Sequence, residues 1–166
     1  MFISSQAKWD YKVLEVKRVT RVTAGGKRFK IRTIVISGDM NGLVGVGIGK
    51  GDDIAQAVEK ARKQAEKNAI RVVIKNETIP YQVEGKSGAS RVLVKPAPKG
   101  TGVKAGGSVR IVLDLAGVSN ASSKILGRTR NKLVNTLACL EALKKLNKYK
   151  SHNKEENVNT PDTIQE

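Results

Sequence analysis

The chain has 166 residues, with 31 Lys and Arg against 15 Asp and Glu, a formal net charge of +16. One Cys and one His exclude a disulfide framework, a Cys-based zinc site and a His-rich metal centre, and the single His152, in a polar tail, argues against a histidine-based triad. A hydrophobic fraction of 39% suffices for a small core, so wholesale disorder is not expected.

No stretch approaches the 18 apolar residues of a membrane span. The opening, MFISSQAKWDYK, has neither a basic segment leading into an apolar run nor an Arg-rich amphipathic pattern. It is read as neither a secretory signal nor a transit peptide.

In chain order, residues 11–23 are rich in β-branched side chains, and their apolar face switches between Val16 and Val19. That predicts a strand with a bulge there. Ala24-Gly25-Gly26-Lys27 reads as a turn, because Gly tolerates positive φ. Residues 28–37 form a second strand, with Phe29, Ile31 and Val35 on one face and Arg28, Lys30 and Arg32 beginning the other. After the turn Gly38–Gly42, residues 43–50 make a third strand. Gly45, Gly47 and Gly49 share one of its faces, which implies close approach of a helix or of RNA.

Asp52 or Asp53 then caps a helix, with Asp53 and Gln56 fitting a capping box. Its expected apolar stripe is Ile54, Val58, Ala61, Ala65 and Ala69; Lys60, Lys63, Lys67 and Arg71 form a basic stripe. These elements define a first unit over 9–73, followed by a linker at 74–80.

A second unit is expected over 81–148. It holds a strand around Ser90–Lys95 stopped by Pro96 and Pro98, then a glycine-rich loop over 100–107. The segment SVRIVLDLAG fits both a strand and a helix, and its pattern leans weakly to strand. Residues 119–126 suit another strand, and 130–147 a helix with Leu at 133, 137, 140, 143 and 146. Cys139 lies within that helix as a small core residue. Residues 149–166 read as a disordered acidic tail.

Two glycine motifs mimic nucleotide sites. Glu84-Gly85-Lys86-Ser87 resembles the end of a phosphate-binding loop, but Pro80 stands where the first glycine belongs and a strand follows. Gly45–Gly51 misses a dinucleotide fingerprint by one position, and two carboxylates open the next helix. No nucleophile or titratable pair stands out, so the chain is read as a non-enzyme with no cofactor and no small-molecule substrate.

The charge surplus points to a polyanion, with nucleic acid the default. From Lys86 to Lys150 there are 14 basic residues against Asp114 and Glu141 alone. The first hairpin crowds Lys17, Arg18, Arg21, Lys27, Arg28, Lys30 and Arg32 onto a ribbon tipped by Gly25 and Gly26. Such a finger suits a groove between phosphates. Aromatics, at 4%, are too sparse for base-stacking platforms, which favours folded RNA read by shape.

The stretches Gly25-Gly26-Lys27-Arg28-Phe29, Val35–Asp39 and Gly42–Lys50 resemble the signature of the ribosomal protein S5 family. Lys95-Pro96-Ala97-Pro98, Gly100–Arg110 and Leu113–Val118 agree with it, and the resemblance covers about residues 9–147. It implies an α+β chain of two domains: a double-stranded-RNA-binding-like domain of three antiparallel strands and a helix, then a small α/β domain, βαββα-like, in which residues 107–116 are helical. It implies binding to small-subunit ribosomal RNA and contacts with the fourth and eighth small-subunit proteins. Roles in assembly and decoding accuracy follow, near the channel by which mRNA enters. It also implies a hairpin tip, at about Thr23–Arg28, associated with spectinomycin sensitivity. The expected RNA-binding residues are Arg18, Arg21, Gly25, Gly26, Lys27, Arg28, Lys30, Arg32, Lys86, Arg91, Arg128 and Arg130. Ala24 stands where bacterial members commonly have Lys, and Gly127–Asn131 departs from the usual approach to the last helix. Thr78-Ile79-Pro80 resembles cyanobacterial and plastid members, so a plastid ribosome is favoured over one in a bacterial cytoplasm.

Overall fold

The computed structural model describes residues 9–156, and the side chains of residues 9–146. Strands β1 (Asp10–Thr23), β2 (Gly26–Gly38) and β3 (Leu43–Gly51) form an antiparallel meander, joined at its edge by the two-residue β4 (Ile70–Arg71). Helix α1 (Ile54–Lys67) lies across one face of this sheet.

The register explains that packing. Val35 pairs with Gly47, Thr33 with Gly49 and Ser37 with Gly45, so small residues share the face. A Cβ on Gly45, Gly47 or Gly49 would fall on the carbonyl of Ala65, Ala61 or Ala57 respectively. The glycine face therefore receives a helix. The contact selects alanines: Ala57, Ala61 and Ala65 are buried, while Ile54, expected inside, is 50% exposed. Asp53 occupies the N-cap with extended backbone, but its carboxylate makes no capping hydrogen bond, so the expected capping box does not form.

The bulge also lies elsewhere than expected. Pairing of β1 with β2 shifts between Val13 and Glu15, leaving Leu14 as the extra residue, and runs without a break from Glu15 to Thr23. The apolar switch at Val16–Val19 carried no register information, because the hairpin beyond Val16 has no core against which to choose a face. Val16 and Val22 are 45% and 70% exposed.

The second unit pairs β5 (Val83–Ser87), β6 (Ser90–Pro96), β8 (Ala121–Ile125) and β7 (Val103–Lys104) in that spatial order. Helices α2 (Gly107–Ala116) and α3 (Lys132–Glu156) accompany them, and the chain order is β5-β6-β7-α2-β8-α3. The segment whose pattern leaned to strand is thus the helix α2, as the family resemblance implied. Asn131 caps α3: its side-chain oxygen accepts from Leu133 N at 3.1 Å. That helix, expected over 130–147, runs on to Glu156, into the stretch read as a disordered tail. The remainder, 157–166, lies outside the described residues.

The two units share one core. Ile34, Ile36, Val44 and Val46, on the sheet face opposite α1, join a continuous cluster with Val109, Val112, Leu113, Leu115 and Leu143. Ile79 and Val72, from the connecting stretch and its approach, are buried in the same cluster. The β2–β3 turn closes the seam through backbone. Met40 N donates to Leu115 O at 3.1 Å and Gly42 N to Ala116 O at 2.9 Å. These are carbonyls of the last turn of α2, which a helix end cannot satisfy itself. Gly38 and Gly117 let the turn and the helix end come this close, since a Cβ on them would fall on Leu115 O or Met40 O.

Cys139 is fully buried, and burial pushes its thiol up to about 12. The native protein at pH 8 is expected to resist a thiol reagent and to react promptly in denaturant. Rapid native labelling would contradict the packing of α3.

Candidate nucleic-acid interface

The β1–β2 ribbon projects beyond the shared core, and every residue from Thr20 to Lys30 is exposed. Its tip is a two-residue turn, Ala24-Gly25, closed by the Thr23–Gly26 pair. Thr23 Oγ1 donates to Gly26 O at 3.1 Å. Gly26 has φ +122°, a conformation that a β-branched residue resists. Nothing lies within 4 Å of a Cβ placed on Gly25 or Gly26, so the tip is open on its protein side.

Strand register sorts the cations. Arg21 lies opposite Arg28, Val19 opposite Lys30, and Lys17 opposite Arg32. Arg32 in turn lies opposite Lys50 of β3. Arg21, Arg28, Lys30, Arg32, Lys17 and Lys50 therefore share one face of the ribbon. Like charges directly opposed across strands destabilise a sheet. Folding alone gains nothing from the Arg21–Arg28, Lys17–Arg32 and Arg32–Lys50 pairs. Two of the six are partly neutralised: Lys17 pairs with Glu15 at 3.1 Å and Lys30 with Asp52 at 3.5 Å. Arg21, Arg28, Arg32 and Lys50 have no carboxylate partner among the described residues.

The opposite face is different. Arg18 stacks over the Phe29 ring, 3.8 Å from its centroid. Lys27 shares that face, beside Val22. Eight sequence-predicted residues, Arg18, Arg21, Gly25, Gly26, Lys27, Arg28, Lys30 and Arg32, thus meet on one hairpin but divide between its faces. Lys50 belongs to the cationic face and was not anticipated. It continues the alternation past the glycines, and only the register with Arg32 reveals its place.

The other four lie on the second unit. Lys86 pairs with Arg91 across β5 and β6. Arg91 is engaged already, with Nη2 and Nε at 2.6 and 2.7 Å from Glu84 Oε1. Arg128 and Arg130 are exposed on the loop between β8 and α3. That loop is anchored from beneath. Ser90 Oγ lies 2.6 Å from Asn135 Oδ1, and Asn135 Nδ2 donates to Thr129 O at 3.3 Å. Leu126 N donates to Arg91 O at 2.8 Å, which sets the start of the loop beside β6.

The family model for the N-terminal domain of ribosomal protein S5 matches residues 9–73, and the model for its C-terminal domain matches residues 85–156. The chain belongs to the ribosomal protein S5 family. It is 46% identical over 138 residues to small ribosomal subunit protein uS5 of Thermotoga neapolitana, covering 83% of this chain and 77% of the relative. It is 46% identical over 144 residues to protein uS5c of Guillardia theta, covering 86% and 85%. It is 42% identical over 151 residues to uS5c of Cyanophora paradoxa, covering 90% and 89%. Bacterial and plastid-type S5 relatives are thus equally similar to it.

Proposed function

We propose that this S5-family chain is a structural constituent of the small ribosomal subunit that neutralises and shape-matches folded ribosomal RNA, with the cationic face of its hairpin as the main contact. The observation that carries this reading is the set of opposed like charges, Arg21 with Arg28 and Arg32 with both Lys17 and Lys50. An anion inserted along that row removes a repulsion that the free protein bears. Arg forks suit phosphate oxygens, and the open glycine tip lets backbone approach. The relatives' names support placement in the small subunit. Contacts with the fourth and eighth small-subunit proteins, a position near the channel by which mRNA enters, and an influence on accuracy are read from the family resemblance. We infer a plastid ribosome from the Thr78-Ile79-Pro80 stretch, with which the uS5c relatives are compatible; the bacterial relatives are equally similar, and the bacterial cytoplasm is the alternative. The role is structural and involves no chemical step.

Arg21→Ala with Arg28→Ala tests the reading. Each lost phosphate contact reduces the slope of log affinity against log salt by roughly 0.7 to 0.9, so the pair lowers it by about 1.4 to 1.8. Removing the opposed charges leaves the free protein's stability unchanged or raises it by a few tenths of a kcal/mol, or about 1 at most. Salt-dependent filter binding to transcribed small-subunit rRNA, together with urea unfolding, measures both. An unchanged slope overturns the proposal.

A further inference from the structure

We propose that the outer face of the second sheet is a second platform for the RNA phosphate backbone, separate from the hairpin. The inference rests on the RNA-binding reading above and adds a surface to it. Helices α2 and α3 cover one side of β5-β6-β8-β7, where Val92, Val94 and Ala121 are fully buried. The alternate positions face outward. Lys86 lies opposite Arg91, Leu93 opposite Lys124, and Ser122 sits between Lys95 and Lys104. All five cations are exposed. Diagonal neighbours across such strands lie about 7–8 Å apart, so the charges form one field.

Only Glu84 opposes them on these strands, and it is occupied by Arg91 at 2.6 Å. Lys86, Lys95, Lys104 and Lys124 have no carboxylate partner among the described residues. A solvated surface elsewhere in the same molecule looks different. On α1, Lys63 pairs with Glu59 at 2.7 Å and Arg62 with Glu66 at 2.9 Å, so two of its cations are answered by acids one turn away. The Lys63 contact also holds the Glu59 carboxyl below its ordinary value. The sheet lacks this mixing of signs. An external polyanion supplies what the fold omits.

The chemistry selects the backbone rather than the bases. None of β5, β6, β7 and β8 contains an aromatic residue, so nothing on this face can stack a base. Lysines on a flat sheet contact phosphates as point charges, and a broad, shallow RNA groove offers phosphates on both rims.

The test uses the full chain carrying Lys95→Gln, Lys104→Gln and Lys124→Gln, compared with the Arg21→Ala/Arg28→Ala variant and the combination. Circular dichroism checks the fold of each. The probe is transcribed small-subunit rRNA in salt-dependent filter binding. The expected result is a slope lowered by about two to three in the triple variant, adding to the loss in the hairpin variant. If the triple variant keeps its slope while the hairpin variant loses slope, the platform is overturned and the hairpin reading stands. If neither loses slope, both are overturned. A retained slope together with reduced occupancy of the triple variant in assembled subunits assigns the face to an acidic protein and also overturns the proposal.

Discussion

Gly47→Val is expected to destabilise the chain by more than about 3 kcal/mol, at the upper end of overpacking effects. The new Cβ would land on the Ala61 carbonyl and against Ala65 N. Both are helix backbone, so no side chain can swing aside. Helix α1 must lift from the sheet, and Ala57, Ala61, Ala65 and Val35 then lose their contacts together. For a chain of this size each kcal/mol moves the thermal midpoint by about 2–4 °C, so a drop of roughly 6–12 °C or more follows. Gly25→Ala is the control, since a Cβ there meets nothing within 4 Å. A Gly47→Val midpoint within about 2 °C of the parent would show that α1 does not rest on the glycines.

The second large effect concerns the seam. Gly38→Val places a branched side chain on the Leu115 carbonyl, which already accepts from Met40 N. Forcing that contact apart also strains the Gly42 N to Ala116 O bond. A buried polar group that loses its partner costs about 1–3 kcal/mol, so two such losses amount to several. The expected loss is therefore about 3 kcal/mol or more, and with it the coupling between the units. Trp9 fluorescence reports on the start of the first unit, and Cys139 labelling on α3. In the parent the two probes are expected to give one urea midpoint, and in Gly38→Val two. Coincident midpoints at the parent value would refute the coupling.

Much of this architecture was legible from alternation. The first three strands and the glycine face follow from a period of two, and the last helix from leucines three and four apart. The failures share a cause: periodicity reports burial on one side only. Helix α2 is covered by the first sheet and by α3, so Val109, Val112, Leu113, Leu115 and Ala116 are all buried, and only the narrow edge of Arg110 and Asp114, one turn apart, marks the helical period. Strand β5 went unread because Gly85 occupies an inward position that another strand would give to valine. A Cβ there would fall on the Ala138 carbonyl. The α1 stripe was misplaced because hydrophobicity favours Ile54, whereas the glycine seam admits only alanine. In the interface, individual cations were readable but their grouping was not. Lys27 and Arg28 are neighbours in sequence and lie on opposite faces, while Arg21 and Arg28 lie side by side.

The shared core sets a timetable for synthesis. The hairpin and glycine-faced strand are complete at Gly51, but the helix that covers Ile34, Ile36, Val44 and Val46 ends at Ala116, roughly 65 residues later. At about 5–20 residues per second, the interval is roughly 3–13 s. Throughout it, the nascent chain already carries its basic finger while an isoleucine- and valine-rich face stands bare. On the proposed reading, the finger is available to RNA before the apolar face is covered. Early docking to a transcript, or a chaperone on that face, would shield it from aggregation until α2 emerges.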